Sequence, residues 1–393
     1  MKMSKNTLII TRNFHPCIGG VETYIIEFIK CYIKRENSFL YILTPVRGTL
    51  PDYIDKKHDI RLISPKVNLS FVNIDKEEHG TLIQAFVQWL YLLIKGSQLI
   101  LAKNDISNIY GIGGPFAIVP SYILSKLFNK RCFGHIHADF QFQRRSTIAR
   151  WFYKCVFKGL DRLFVNSQDV KTDILAINVP EEKLCIIHNW IDTNIFNLKN
   201  KKTCRENLNL PLDKDILLFV GRLSGEKGIL QVLDCIDILG DHNSFIFLIV
   251  GDGPLRPIVE KRIKDKRNAV FAGPKSGVEL ANFYNAADVL LWGSIDTHYV
   301  SIVIMEALHC GLPVLAPRTT TQDGKIGIKE YFVKDETLPR EVGLLFEGDV
   351  NSLIKAITVF FSTKFSRKKI NLYAAEKYSE KNANPVLAEL WVN

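Results

Sequence analysis

The chain alternates short β-branched runs with segments of helical periodicity, and no other feature restricts its fold as strongly. Residues 7–11 form the first strand-like run, and apolar side chains then recur at i, i+3 and i+4 from Val21 to Ile33. Strands that are separated by helices form parallel sheets built from βαβ units. The sequence therefore predicts an α/β fold.

The alternation occurs twice, once in each half of the chain. Residues 197–207, between the halves, are polar and rich in lysine and show no apolar period, which is typical of a linker. A length of 393 residues also favours two domains over one. Each half is thus predicted to be a doubly wound, Rossmann-like domain. The predicted strands are residues 7–11, 40–43, 60–62, 109–110, 132–136, 162–165 and 185–187, then 216–220, 245–250, 269–272 and 289–292.

Composition favours a globular cytoplasmic protein. A strand-like run begins at Thr7, so we expect no secretory signal. The eight cysteines form no C-x-x-C pair, which favours reduced thiols and argues against a zinc site. The longest apolar stretch, residues 82–94, is interrupted by two glutamines. It is shorter than the ~20 residues that span a bilayer, so we predict an amphipathic helix.

The formal net charge is +10, and much of the excess lies within residues 126–158. Aromatic side chains are interleaved with the basic ones there, a pattern typical of helices on anionic membrane surfaces. A solvated helix face with its aromatic residues in the core explains the pattern equally well. Nucleic acid is not expected, because no recognition motif accompanies the charges. The basic residues are Lys126, Lys130, Arg131, Arg144, Arg145, Arg150, Lys154 and Lys158.

Two strand ends carry residues suited to binding an anion. Gly19 and Gly20 follow the first strand and open a helix, where backbone N–H groups can meet a ligand. Arg222 and Lys227 flank a glycine-containing turn after residues 216–220, and two cations beside a helix N-terminus can neutralise a diphosphate. The structural alternatives are a tight turn in the first case and a solvated loop in the second.

Two histidines, His135 and His137, lie at another strand end. No further cluster of histidine and cysteine supports a metal site there. In the functional interpretation a histidine hydrogen-bonds to a ligand. In the structural interpretation it is a core residue whose ring nitrogens are hydrogen-bonded within the protein.

Glu306 places a carboxylate inside an otherwise apolar helix, residues 302–309, which Gly311 and Pro313 are expected to end. Burying an unpaired carboxylate costs several kcal/mol, so a buried glutamate normally has a partner. That partner is either another side chain or the hydroxyl pair of a ligand.

Five motifs of this kind occur in order along the chain. They are Gly19-Gly20-Val21-Glu22, residues 189–196, Gly221-Arg222 with Lys227-Gly228, residues 251–254, and Glu306-Ala307 with Gly311-Leu312-Pro313-Val314. Together they resemble the retaining nucleotide-sugar glycosyltransferases of family 4. The resemblance implies the GT-B fold, in which two Rossmann-like domains face a central cleft. Residues 1–200 would bind acceptor, residues 201–367 would bind the nucleotide sugar, and residues 368–393 would cross back to the first domain.

The resemblance also implies roles for individual residues. Arg222 and Lys227 would hold the donor diphosphate and stabilise it as the leaving group, and Glu306 would accept hydrogen bonds from both ribose hydroxyls. His137 would contact the transferred sugar. The glycines expected at the donor are Gly19, Gly20, Gly221 and Gly253. The resemblance implies no metal, no cofactor and no protein nucleophile, because cationic side chains and helix N-termini stabilise the leaving group in this fold.

The sequence departs from the family pattern at two places. The family usually has a second glutamate eight residues before Glu306, and this chain has His298 there, with Asp296 close by. That glutamate normally contacts hydroxyls of the transferred sugar, so His298 and Asp296 are both candidates to replace it. Trp190 stands where the family usually has glycine. Because tryptophan disfavours positive φ, we expect a turn of different shape.

These observations predict a metal-independent, retaining hexosyltransferase in the cytoplasm, and the membrane interpretation of residues 126–158 adds a peripheral location at the inner face of the cell membrane. It would move a sugar from a UDP- or GDP-sugar to a lipid-linked or saccharide acceptor in surface polysaccharide or glycoconjugate synthesis. One alternative, motivated by His298 and Trp190, is a non-catalytic subunit of the same fold that binds a partner or a glycan. Another is a different enzyme of this fold, such as a sugar-nucleotide epimerase. A nicotinamide dehydrogenase is not expected, because residues 111–116 lack the third glycine of its fingerprint.

Overall fold

The chain forms two compact units, of which the first comprises residues 1–189 with 380–393 and the second residues 190–379. Each unit contains one parallel sheet, which confirms the predicted α/β class. The computed structural model describes residues 6–15, 20–34, 39–51, 60–65, 82–137, 140, 142–240, 244–293, 301–317 and 342–391.

The first unit contains a seven-stranded parallel sheet in the order β3-β2-β1-β4-β5-β6-β7. Its strands are β1 (Asn6–Thr11), β2 (Leu40–Leu43), β3 (Ile60–Ile63), β4 (Ile106–Ile112), β5 (Arg131–Ile136), β6 (Arg162–Val165) and β7 (Leu184–Ile186). The helices between them are α1 (Gly20–Ile33), α2 (Leu82–Ala102), α3 (Pro115–Phe128), α4 (Thr147–Lys158) and α5 (Gln168–Leu175).

The second unit contains a six-stranded parallel sheet in the order β10-β9-β8-β11-β12-β13. Its strands are β8 (Asp215–Val220), β9 (Phe245–Val250), β10 (Ala269–Gly273), β11 (Val289–Leu291), β12 (Val314–Pro317) and β13 (Gly343–Phe346). Its helices are α6 (Lys201–Asn207), α7 (Ile229–Leu239), α8 (Arg256–Ile263), α9 (Gly277–Ala286), α10 (Ile302–His309), α11 (Val350–Ser362) and α12 (Arg367–Lys377).

Strand β8 shows why these runs fold as central parallel strands. Ile216 and Leu218 pack into the core on one face of the sheet, and Leu217 and Phe219 pack into the core on the other. A strand that is buried on both faces has a continuous apolar sequence rather than an alternating one.

The predicted linker, residues 197–207, lies inside the second unit. Helix α6 begins after Asn200, whose side chain accepts a hydrogen bond from the N–H of Thr203 at 3.0 Å. Arg205 is buried, donates to the carbonyl oxygen of Ala286 at 2.9 Å and pairs with Asp288 at 2.6 Å. This helix has no apolar period because a buried arginine, rather than an apolar stripe, holds it to the end of α9 and to Asp288 before β11.

The C-terminal segment that belongs to the first unit is shorter than residues 368–393. Helix α12 stays in the second unit, because Ile370 and Ala374 are buried in the core that also contains α10. The last helix, α13 (Ala383–Trp391), belongs to the first unit. There the side-chain amide of Asn108 donates to the carbonyl oxygen of Leu390 at 2.9 Å.

Helix α2 is longer than the apolar stretch that predicts it. It has 21 residues, and Ile83–Ala102 is apolar enough to cross a membrane by length and composition. The expectation that this segment is too short to span a bilayer is therefore wrong. One side of the helix, with Gln88, Leu92 and Ile100, is buried in the first unit, as a helix with one buried stripe requires.

Candidate active site

The second sheet reverses its winding between β8 and β11. The chain continues from β8 to β9 and β10 on one side, and from β11 to β12 and β13 on the other. In open parallel sheets, ligands bind outside the carboxyl ends of the strands at such a switch point. The loop that follows β8 contains Arg222 and Lys227, so both cations lie at the switch point.

Close approach of glycine backbones fixes this loop against the loop that follows β9. A Cβ atom on Gly251, where φ is 144°, would overlap the carbonyl oxygen of Gly221. The N–H of Leu223 donates to the carbonyl oxygen of Asp252 at 2.8 Å, and the N–H of Leu255 donates back to Leu223 at 2.8 Å. A Cβ on Gly253 would lie 2.7 Å from the backbone nitrogen of Leu223. Packing between the two loops therefore explains the glycines at 251 and 253.

A second glycine contact fixes the start of helix α7. Gly228 has φ 78°, in the left-handed region, and a Cβ there would overlap the backbone of Gly293. Gly293 follows β11, so the N-terminus of α7 is held beside the carboxyl end of the neighbouring strand. The unpaired N–H groups of a helix N-terminus favour an anion at this position.

The loop that follows β8, here called the cationic loop because it contains Arg222 and Lys227, also contains an acidic residue. Arg222 is exposed and Lys227 is half-buried, while the carboxylate of Glu226 accepts a hydrogen bond from the hydroxyl of Ser224. Burial alone would raise the pKa of Glu226, but that hydrogen bond and the charges of Lys227 and Arg222 lower it overall. The loop therefore presents two cations and one ionised carboxylate.

Glu306 has an internal partner. The hydroxyl of Tyr284, on α9, donates to Glu306 Oε2 at 2.8 Å. Tyr284 is fully buried and Glu306 is 8 % exposed. Burial raises the pKa of Tyr284 well above its ordinary value, and the adjacent charge of Glu306 raises it further. The tyrosine consequently remains a donor, and it fixes one oxygen of the carboxylate.

The end of helix α10 confirms the predicted stop. Gly311 has φ 69°, the N–H of Gly311 donates to Leu308 and that of Leu312 donates to Ala307, both at 2.9 Å. This is the Schellman arrangement that closes a helix with a left-handed glycine. It places Glu306 in the last turn of an eight-residue helix.

The first sheet has a histidine site at the carboxyl end of β5. His137 is only 5 % exposed, and its ring stacks on that of His135 at a centroid distance of 4.0 Å. Tyr24 lies against the same ring at 4.4 Å. Neither ring nitrogen of His137 has a hydrogen-bond partner among the described residues. A buried imidazole whose polar atoms have no protein partner calls for an explanation, and a bound ligand or an ordered water would each supply one.

A chain of buried hydroxyls supports this histidine pair. The hydroxyls of Tyr24 and Tyr110 are 3.0 Å apart, and the Tyr110 hydroxyl is 2.9 Å from Nδ1 of His135. Burial lowers the pKa of His137 to about 3 and that of His135 well below its usual range. Both rings are thus neutral at physiological pH, and His137 offers one N–H donor and one nitrogen acceptor.

The two histidines should make the protein sensitive to acid. A histidine with a depressed folded-state pKa contributes stability above its ordinary pKa of 6.5, and that stability is lost as the pH falls towards about 3. We expect the free energy of unfolding to decrease over this window by up to about 1.4 kcal/mol per pH unit for each histidine. Urea denaturation at several pH values measures it.

His137→Gln should flatten this pH dependence. The matched control is His15→Gln, which removes a partly exposed histidine of the same unit. An unchanged slope in His137→Gln would show that the buried ring does not govern the acid response.

Three of the other predicted site residues, Gly19, Asp296 and His298, fall outside the described residues. Gly20 is exposed at the start of α1, the helix that follows β1. Positive φ at described residues other than glycine occurs only at Asn129, Asn178 and Asn209. Buried Trp190 therefore forms its turn without positive φ, as its size requires. The part of the chain described by the structure contains no group of three or more His, Cys, Asp and Glu side chains suited to a metal.

Comparison with known proteins gives the family. The model of the glycosyl transferases group 1 matches residues 200–377, and that of glycosyltransferase family 4 matches residues 18–195. An uncharacterized glycosyltransferase of Methanocaldococcus jannaschii is 31 % identical over 158 residues, which are 38 % of this chain and 40 % of that protein. A D-inositol 3-phosphate glycosyltransferase of Mycolicibacterium paratuberculosis is 30 % identical over 166 residues, 40 % of this chain and 36 % of its own. The matched region thus spans about two fifths of these curated relatives.

A solved structure has the same fold. The crystal structure of Anabaena HepE in complex with UDP has a TM-score of 0.74 to this chain at 17 % identity, with 98 % of each chain covered. At this identity the likeness establishes the fold, which is GT-B. The two family models lie side by side and together match most of the chain. The chain therefore belongs to glycosyltransferase family 4, with a group 1 glycosyltransferase module as its second unit.

Proposed function

We propose that the chain is a retaining glycosyltransferase that moves a hexose-type sugar from a UDP- or GDP-sugar to a lipid-linked or saccharide acceptor. The main supporting observation is Glu306, a nearly buried carboxylate on α10 that Tyr284 of α9 holds by a hydrogen bond. A fixed carboxylate suits the hydroxyl pair of a ribose, and the cationic loop at the switch point of the same unit suits a diphosphate. The UDP bound by the structurally similar HepE supports a nucleotide donor.

In this proposal the cationic loop stabilises the leaving group. Negative charge develops on the diphosphate as the bond to the sugar breaks, and fixed cations stabilise that charge where water is excluded. Arg222, Lys227 and the N-terminus of α7 would supply the positive charge. The glycine contacts at 251 and 228 hold the loop in place before the donor binds, so little reorganisation is needed during the reaction.

Glu306 would recognise the ribose. An ionised carboxylate accepts hydrogen bonds from a hydroxyl pair, and such charge-assisted bonds are roughly twice as strong as neutral ones. Because Tyr284 already occupies Oε2, the side chain cannot turn freely. In the first unit, neutral His137 would donate to or accept from a hydroxyl of the transferred sugar without adding charge.

The proposal is tested by measuring nucleoside diphosphate release. The full chain is incubated with a panel of UDP- and GDP-sugars, with and without lipid-linked and saccharide acceptors. Acceptor-dependent release from one donor supports the transferase. An epimerised sugar formed without acceptor would instead indicate a sugar-nucleotide epimerase. Absence of UDP and GDP binding in calorimetry would favour a non-catalytic subunit.

Tyr284→Phe should weaken donor binding by removing the hydrogen bond to Glu306. This bond is present before the donor binds, so only the lost pre-orientation of the carboxylate affects the affinity. Immobilising one side chain on binding costs about 0.5–1.5 kcal/mol, so we expect the Kd for the nucleoside diphosphate to rise roughly two- to tenfold. Discrimination against the 2′-deoxy nucleotide should fall as well, since the carboxylate is no longer fixed. Calorimetry with both nucleotides measures these changes.

Tyr378→Phe is the matched control, because Tyr378 is another fully buried tyrosine of the same core. It should leave the nucleotide affinity unchanged. If both variants bind nucleotide as the unaltered protein does, Tyr284 has no part in donor recognition.

A further inference from the structure

Helix α4 exposes apolar side chains on the face that points away from its unit. Ile148 is 81 % exposed and Trp151 65 %, and Phe152 is exposed beside them one helical turn after Ile148. The opposite face, with Val156 and Phe157, is buried in the core. The helix is therefore apolar on both sides, and the solvated-face interpretation of this segment does not describe its outer side.

Basic residues surround this apolar face. Arg144 and Arg145 are exposed just before the helix, and Lys158 is exposed at its end. Arg150 and Lys154 lie on the flanks of the helix, half-buried. Residues 142–160 contain no aspartate or glutamate. Such a surface complements an apolar layer bordered by negative charge.

A second exposed apolar stripe lies on helix α2. Ile83, Phe86, Leu90 and Ile94 are exposed at spacings of three, four and four residues, so they share one side of the helix. The side formed by Gln88, Leu92 and Ile100 is buried. This stripe therefore faces outward along nearly three turns.

Helices α2 and α4 belong to one layer. Both pack against α3, and Trp89 of α2 and Tyr153 of α4 pack on the same core cluster. Leu127, at the exposed end of α3, adds a further apolar side chain, and Lys126 beside it adds a further cation. The outward faces of the three helices thus lie on the same side of the first sheet.

From this combination we infer that the outer layer of α2, α3 and α4 docks the first unit on an anionic lipid bilayer. Tryptophan, isoleucine and phenylalanine enter the interface, and the surrounding arginines and lysines contact acidic headgroups. The cytoplasmic leaflet of membranes carries such headgroups. The inference goes beyond the proposed function, because it concerns a surface and not the donor site.

The positive charge of this face favours an anionic bilayer over a second copy of the chain as its binding partner. Two identical faces would bring the same basic residues together, and like charges across an interface oppose association. An anionic bilayer instead attracts them and also accepts the apolar side chains. Self-association through α4 is the competing outcome of the experiment.

The experiment measures sedimentation of the full chain with vesicles, in the absence of nucleotide. We expect binding to phosphatidylcholine vesicles that contain phosphatidylglycerol, and little binding to phosphatidylcholine alone. The triple variant R145Q/R150Q/K154Q should bind the anionic vesicles at least about tenfold more weakly. The double variant I148S/W151S should also bind weakly, because its apolar anchors are gone. Since no donor is present, failure of this inference and failure of the transferase assay are separate results.

The control removes three positive charges from the second unit, in the variant K261Q/K264Q/K355Q, all at exposed positions. It should bind vesicles as the unaltered protein does. Equal losses in both triple variants would overturn the docking face, because net charge alone would then govern binding. If the unaltered protein does not bind vesicles but forms a dimer, and I148S/W151S abolishes that dimer, the face serves self-association instead. Circular dichroism and UDP affinity verify that each variant is folded.

Discussion

Replacing Lys227 with alanine should lower kcat by roughly a hundred- to thousandfold, the loss found when one fixed donor to a developing charge is removed. The side chain lies at the switch point of the second sheet, in a turn that Gly228 holds against Gly293. Its removal would also leave the carboxylate of Glu226 with less opposing charge beside the diphosphate. Nucleoside diphosphate release at saturating donor measures the effect.

The matched control is Lys261→Ala, which removes an exposed lysine from α8 of the same unit. It should leave kcat unchanged. Lys227→Arg should recover part of the lost rate, because the cation remains while its shape changes. Near-normal turnover in Lys227→Ala would remove this residue from the proposed mechanism and leave Arg222 as the principal cation.

Gly251→Ala should destabilise the second unit by about 3–5 kcal/mol, a value reached only by severe local conflicts. A methyl group there would overlap the carbonyl oxygen of Gly221, and the backbone has φ 144°. Neither backbone can move away easily, since the Leu223–Asp252 and Leu223–Leu255 hydrogen bonds join the two loops at 2.8 Å. Urea denaturation monitored by circular dichroism measures the loss.

Gly240→Ala separates the steric conflict from the cost of positive φ. Gly240 has φ 58° and ψ −153°, and a Cβ there would meet nothing within 4 Å. This variant should cost only about 1–3 kcal/mol, the penalty of a backbone conformation that is essentially restricted to glycine. Equal losses of unfolding free energy in Gly251→Ala and Gly240→Ala would mean that the contact between Gly251 and Gly221 does not constrain the loop.

Much of the fold could be predicted because its central strands are buried on both faces. Apolar runs predicted the bounds of β2, β6 and β9, and the apolar helix pattern predicted those of α10. Strand β13 is different. It lies at the edge of the second sheet, and only the first and last of its four residues are buried. Its sequence, Gly-Leu-Leu-Phe, begins with glycine and has no β-branched residue, so it lacks the composition that marks the predicted strands.

The site could be predicted only in part, for a physical reason. Arg222, Lys227 and Glu306 stand out because their charge conflicts with their position at a strand end or in an apolar helix. Tyr284 gives no such signal, since a tyrosine in a helix is ordinary in a core. Its role depends on α9 and α10 being neighbours, which sequence order does not reveal. The contact of Gly251 with Gly221 likewise requires β8 and β9 to be adjacent.

The return of α13 to the first unit has a consequence for biosynthesis. Asn108 is buried and donates to the carbonyl oxygen of Leu390, and Arg162 pairs with Glu389 at 2.8 Å. While the ribosome is still translating the second unit, these partners do not yet exist. Domains generally fold in order as they emerge during synthesis. Here the unit that emerges first is completed only after the second unit has been translated, so the nascent first unit remains unfinished until residues 383–391 have emerged.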